Sequence, residues 1–188
     1  EEIIYLDAVH LVAVDHPDSV VVFPNERLLS SPPYPEFRLY PLAEVRPPIG
    51  AVDHRGIDVL EQLLRVDDDW YDGFEEEDIH GYAKDHSLTL DLGDLSQISH
   101  PVLLAHGWVN YAHSASNWAA FQRGLELFPP RLEVPDGEGG WRLLTADMGC
   151  PAGLPKYMLF DLGAAADSVF SNGDYRLRIT TNTAVYWD

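Results

Sequence analysis

Ser87-Leu88-Thr89-Leu90-Asp91-Leu92 opens a change of grammar that decides the fold. From this point the chain runs in short apolar or alternating stretches punctuated by Gly, Pro, Asn and Asp. They are Leu88–Leu92, Val102–Tyr111, Arg131–Val134, Trp141–Ala146, Lys156–Leu162, Tyr175–Thr181 and Ala184–Trp187. Alternation of period two with β-branched and aromatic residues marks strands, and seven short strands in succession predict a jelly-roll-like β-sandwich. Pro135-Asp136-Gly137-Glu138-Gly139-Gly140 is a hairpin turn, and Thr181-Asn182-Thr183 is expected to turn the last two strands into a second hairpin. Trp118, Phe121 and Leu125 recur at helical spacing after Ser116, which predicts one short helix with Ser116 as its N-cap.

Working outward toward the N-terminus, Ile3 to Val14 is apolar or small on both faces and reads as a strand. His16-Pro17-Asp18 turns the chain into a second strand, Val20-Val21-Val22-Phe23. Six of the 14 prolines fall in residues 30–49, so this stretch is a connector with at most an edge strand around Phe37-Arg38-Leu39-Tyr40. Ile57, Leu60, Leu63 and Leu64 follow Gly56 at helical spacing and predict a helix over Gly56 to Val66. Asp67 to Asp85 is acidic and aromatic without either period, an ordered loop anchored by its rings. The expected fold class is therefore mainly β, a jelly-roll-like β-sandwich over residues 86–188 with one or two short helices and a long acidic loop. Residues 1–85 are expected to pack on that body as one cooperative unit, because a strand apolar on both faces needs cover on both sides.

At 188 residues, 46% apolar and 23% charged, the chain has the length and composition of one folded domain or two small ones rather than of a disordered tail. No apolar run reaches the roughly 18 residues of a membrane span. Twelve bases against 31 acids give a net charge of -19, which repels nucleic acid and anionic membrane surfaces alike. The excess is lopsided: residues 1–94 carry 22 acids and 6 bases, residues 95–188 only 9 and 6. The acidic half is expected to stay solvated or face a basic partner, and the near-neutral half to carry buried contact. Cys150, the single cysteine, excludes an internal disulfide and any cysteine-based zinc cluster.

Four candidate chemistries follow from the residues. Asp67, Asp69, Asp72 and Glu77 are candidate ligands of an irregular calcium site. A helix–loop–helix calcium loop is ruled out, because counting from Asp68 puts Trp70 third and Ile79 twelfth, where ligands are required. Val102 to Trp108 looks like a hydrolase strand and His-Gly turn, but Ser114 follows His106 too closely and without a Gly-x-Ser-x-Gly elbow, so neither is expected to be catalytic. None of the eight histidines makes an i, i+4 zinc pair. Trp108, Trp141 and Tyr157 offer flat apolar faces on which a sugar ring can stack.

Several tracts together carry a family resemblance: Leu6-Asp7-Ala8-Val9-His10-Leu11-Val12-Ala13-Val14-Asp15-His16-Pro17, Val134-Pro135-Asp136-Gly137-Glu138-Gly139-Gly140-Trp141, Asp147-Met148-Gly149-Cys150-Pro151-Ala152-Gly153 and Tyr175 to Asn182, with Tyr186-Trp187-Asp188. Over most of its length the chain resembles the C-terminal region of bacterial ASPIC/UnbV and FG-GAP repeat proteins of the cartilage acidic protein kind. The resemblance implies an exported, extracytoplasmic (periplasmic or secreted), all-β, non-catalytic module attached to a repeat protein that serves adhesion or assembly. Such relatives carry calcium on Asp-x-Asp-x-Asp-Gly loops, a pattern absent here, so no ligand is transferred to any residue.

The expectation is a protein-interaction or assembly module without a cofactor, partnered by other subunits or by the rest of a longer chain. A glycan-binding module is the alternative and a hydrolase the third reading. The chain starts and stops flush with apolar runs, which fits a piece of a longer polypeptide or a subunit whose ends are held by neighbours.

Overall fold

The computed structural model describes residues 5–36, 38–163, 166–170 and 172–188. Its elements are β1 (Val21–Pro24), β2 (Leu39–Leu42), β3 (Gly50–Asp53), β4 (Tyr82–Asp91), β5 (Val102–Val109), α1 (Ser114–Arg123), β6 (Arg131–Pro135), β7 (Trp141–Thr145), β8 (Lys156–Asp161), the one-turn α2 (Ala166–Val169), β9 (Arg176–Thr183) and β10 (Val185–Trp187). All strand pairs are antiparallel. A five-stranded sheet has the order β3-β4-β9-β6-β7, a three-stranded sheet the order β10-β5-β8, and β1 and β2 pair by themselves. The chain winds between the two larger sheets, and β9 returns late to lie between β4 and β6, which is the jelly-roll character of the sandwich.

Alternation builds the core. On β4, Leu88 and Leu90 are buried while Ser87 and Thr89 are half-buried. Leu88, Leu90, Leu132, Val134, Leu177 and Ile179 from the larger sheet meet Leu103, Val109, Met158, Val185 and Trp187 from the smaller in one cluster. All seven strands expected after Ser87 are present, as is the β6–β7 hairpin, in which Pro135 pairs with Trp141.

The expected final hairpin is not there. β9 runs straight through Thr181-Asn182-Thr183, and the chain changes sheets at Ala184: Thr183 pairs with Tyr82 in one sheet and Val185 with Val109 in the other. The Ala184 N–H donates to Gly81 O at 3.3 Å, and its carbonyl accepts from Asn110 N at 2.9 Å. Asn182, read as a turn residue, instead uses its amide on the loop before β6, accepting from Phe128 N at 2.8 Å and donating to Glu126 O at 2.7 Å. A side chain so engaged has no need of a turn.

Three N-terminal expectations are corrected. Tyr5 to Val14 forms no strand and stands free, with Leu11 96% exposed and Val14, the least exposed of its large apolar side chains, 69%. Ile3 and Ile4 of that run, and Phe37 of the connector, lie outside the described residues. The helix expected over Gly56–Val66 is a single 3₁₀ turn, Leu60–Leu63. The backbone of its first residues is committed to β3, with Asp53 N bonded to Ile57 O and Val59 N to Ala51 O, which excludes the helical register. The acidic loop ends earlier than expected, because β4 already begins at Tyr82 and residues 75–77 pair back onto residues 82–84. The division at 85/86 therefore falls inside β4, and the first half supplies β3 as an edge of the larger sheet. In α1 the N-cap is His113 rather than Ser116, and Gly124 closes the helix at φ 70°.

Gly107 sits where β5 is flanked on both sides. A Cβ there would lie 2.5 Å from the Tyr186 carbonyl oxygen and 2.8 Å from the Trp187 ring. Gly107→Ala is expected to cost about 1–3 kcal/mol through displacement of β10, read as a lower denaturant midpoint with an unchanged slope.

Candidate functional site

The period of two that buries one face of β5 turns Leu104, His106 and Trp108 outward. Register places Tyr157 of β8 opposite His106 and Tyr186 of β10 opposite Trp108. Trp108 and Tyr186 stack in parallel at 4.3 Å, 5° apart. Trp70, from the acidic loop, lies 5.3 Å from His106 and edge-on to Trp108 at 6.4 Å. Tyr157 lies 4.7 Å from His106 and is itself met by Phe23 of β1 at 5.0 Å. At the opposite end Phe74 contacts Tyr186 at 5.1 Å and His86 at 4.7 Å. The outer face of the smaller sheet is thus a continuous row of rings, closed over by the acidic loop and by β1.

Backbone pairing fixes the loop there. Tyr71 and Trp187 exchange hydrogen bonds, Tyr71 N to Trp187 O at 2.7 Å and Trp187 N to Tyr71 O at 3.4 Å. The Asp188 carboxylate accepts from Asp67 N and Asp68 N, both at 3.2 Å. His106 Nδ1 is 3.8 Å from Asp188 Oδ2, is buried and has no hydrogen-bond partner. Burial lowers the His106 imidazole below its ordinary range, against the pull of Asp188. Burial, followed by the hydrogen bond its hydroxyl donates to Glu76 at 2.9 Å, pushes Tyr186 up to about 12.

The stacking candidates divide. Trp108 and Tyr157 belong to the ring row, with their faces against Tyr186, Trp70, His106 and Phe23. Trp141 lies on β7 in the other sheet, 4.5 Å from the Arg178 guanidinium and 5.6 Å from that of Arg176. An open pair of aromatic faces lies elsewhere, on α1: Trp118 and Phe121 stack on each other at 5.7 Å and are 61% and 72% exposed. The helix docks through Ala120 instead, held by the Arg123–Asp78 ion pair and by Tyr82 OH donating to Asn117 at 3.1 Å. The sequence signal for this was the small pair Ala119-Ala120 between the two rings, which marks the buried stripe. A shallow groove lined by Asn117, Phe121, Gly124, Leu125, Glu126 and Leu127 adjoins the pair.

The carboxylates are spread along the loop. Asp67 Oδ1 accepts from Asp69 N, Asp72 is exposed, and Glu77 belongs to the turn before β4. Among the described residues, no three His, Cys, Asp or Glu side chains converge in a metal-binding arrangement. Ser114 opens α1, on a different element from His106. Burial and then Asp147 push the Cys150 thiol up to about 12.

His86 gives the site a pH signature. Its Nδ1–H donates to Lys84 O at 2.9 Å, its Nε2 is buried without a partner, and burial lowers its affinity for a proton below the ordinary value of 6.5. As pH falls below that value the unfolded chain gains a proton that the folded one refuses, so stability present at neutral pH is lost toward the lowered folded value. Thermal midpoints are expected to fall as pH drops from neutrality through 6.5 and below, with a shallower fall in His86→Phe.

Comparison with family models, with curated proteins and with solved structures finds no match to this chain.

Proposed function

We propose that the chain is a non-catalytic protein-interaction module of an extracytoplasmic assembly. One observation carries this reading: the apolar segment Tyr5–Val14 stands free of the sandwich, its large side chains 69–96% exposed. A Val or Leu side chain gains about 1.5–3 kcal/mol on full burial, so leaving several of them together in water is costly and docking is the remedy. The extracytoplasmic setting rests on the family resemblance alone. The test is light scattering with cross-linking on material from its native source. The expected result is a stable complex with other protein, cross-linked through residues 5–14; a 21.1 kDa species that stays monomeric would end the proposal.

A second reading, a carbohydrate-binding module, is favoured by the open Trp118–Phe121 shelf with Asn117 and Glu126 beside it. Aromatic faces next to amide and carboxylate groups suit a neutral sugar, whose ring stacks while its hydroxyls hydrogen-bond. Glycan-array binding abolished by Trp118→Ala is the expected outcome under this reading, and an array without signal rejects it.

A further inference from the structure

We infer that residues 5–14 form a β-strand that completes an open sheet edge in a partner protein whose edge is flanked by basic side chains. The inference rests on the interaction reading above and names its partner. Among the described residues no backbone hydrogen bond involves this segment, so its peptide groups are free to pair. Leu6, Val12 and Val14 alternate onto one face and Val9 and Leu11 onto the other, the pattern of a strand covered on both sides. No Pro or Gly interrupts the segment, and Pro17 follows it. A helix lying in an apolar groove would pair its own peptide groups, but at 3.6 residues per turn Leu6, Val9, Leu11, Val12 and Val14 point all round it rather than along one stripe; a strand on a sheet edge pairs its main chain along one side and seats alternate side chains in pockets.

Charge selects between partners. The segment's only formally charged residue is Asp7, but it belongs to a half with 22 acids and 6 bases. A second copy brings the same net charge of -19 and is repelled, whereas an edge bordered by Lys or Arg is attracted.

The experiment uses the full chain at low salt with three probes: a decapeptide of alternating lysine and valine, its glutamate–valine counterpart, and a backbone N-methylated lysine–valine peptide that cannot pair. The lysine–valine peptide is expected to slow amide exchange across residues 5–14, and one of Val9→Pro and His10→Pro, whose N–H groups face opposite sides of the strand, to weaken its binding at least about tenfold, since proline removes a donor and fixes φ. The thermal midpoint of Val9→Pro is expected to match the parent chain, because the segment stands off the body. Equal binding of the glutamate or N-methylated peptide, or no protection of residues 5–14, overturns the inference. Protection that rises with the concentration of the chain alone identifies a second copy as the occupant and overturns it too. Exchange measured on the native complex separates the two proposals: a complex cross-linked through residues 5–14 whose amides there exchange as fast as in the isolated chain keeps the interaction reading and removes the strand partner.

Discussion

Ala184 is tied to both sheets at their borders, its N–H to Gly81 just before β4 and its carbonyl to Asn110 just after β5, and the rest of the sandwich depends on that crossing. It places β9 in the middle of the larger sheet and β10 at the edge of the smaller one within a single residue. Val185 and Trp187 then point inward against the apolar faces of β4, β6 and β9, while Tyr186 points outward into the ring row. Thr181 and Thr183 support the crossing from inside, their hydroxyls 2.7 Å apart and buried. A hairpin at the same place would put both final strands in one sheet and leave β5 paired with β8 alone.

Each edge of the smaller sheet is closed by chain from the N-terminal half. Tyr71 pairs with Trp187 beside β10, and Glu26 N bonds Tyr157 O beside β8 at 3.1 Å, with Leu28 bridging to Cys150 further on. Covered edges resist pairing with other chains. The same loops bring Trp70, Phe74 and Phe23 over the outward rings of β5, β8 and β10, so the row packs as a second, half-buried aromatic layer. That closure takes the rings out of contact with a ligand and leaves the N-terminal segment and the α1 shelf among the exposed apolar surfaces.

Strand identity after Ser87 was legible because burying one face of a sheet imposes a period of two that Leu88, Leu90 and their counterparts repeat along the chain. The hairpin at Pro135–Gly140 was legible for a similar local reason: Asp136 accepts from Glu138 N at 2.8 Å and from Gly140 N at 2.9 Å, a turn written within its own residues. The candidate site was less so. Their composition marks Trp108 and Tyr157 as rings on which a ligand can stack, but nothing near them in sequence announces Trp70 or Tyr186 as the groups that take their faces.

The sequence by itself therefore determined the fold class, the strands of the second half and the acidic, aromatic character of the loop, since these follow from periods and compositions within a few residues of each other. Only the tertiary structure decided that Thr181–Thr183 is a strand, that Gly56–Val66 is mostly not a helix, and that Tyr5–Val14 lies outside the core. In the first two the outcome turned on hydrogen-bond partners distant in sequence or lying across a turn, such as Phe128 for Asn182 and Ala51 for Val59. For the third, apolar character states that a segment gains by being covered, while the cover itself must come from another surface.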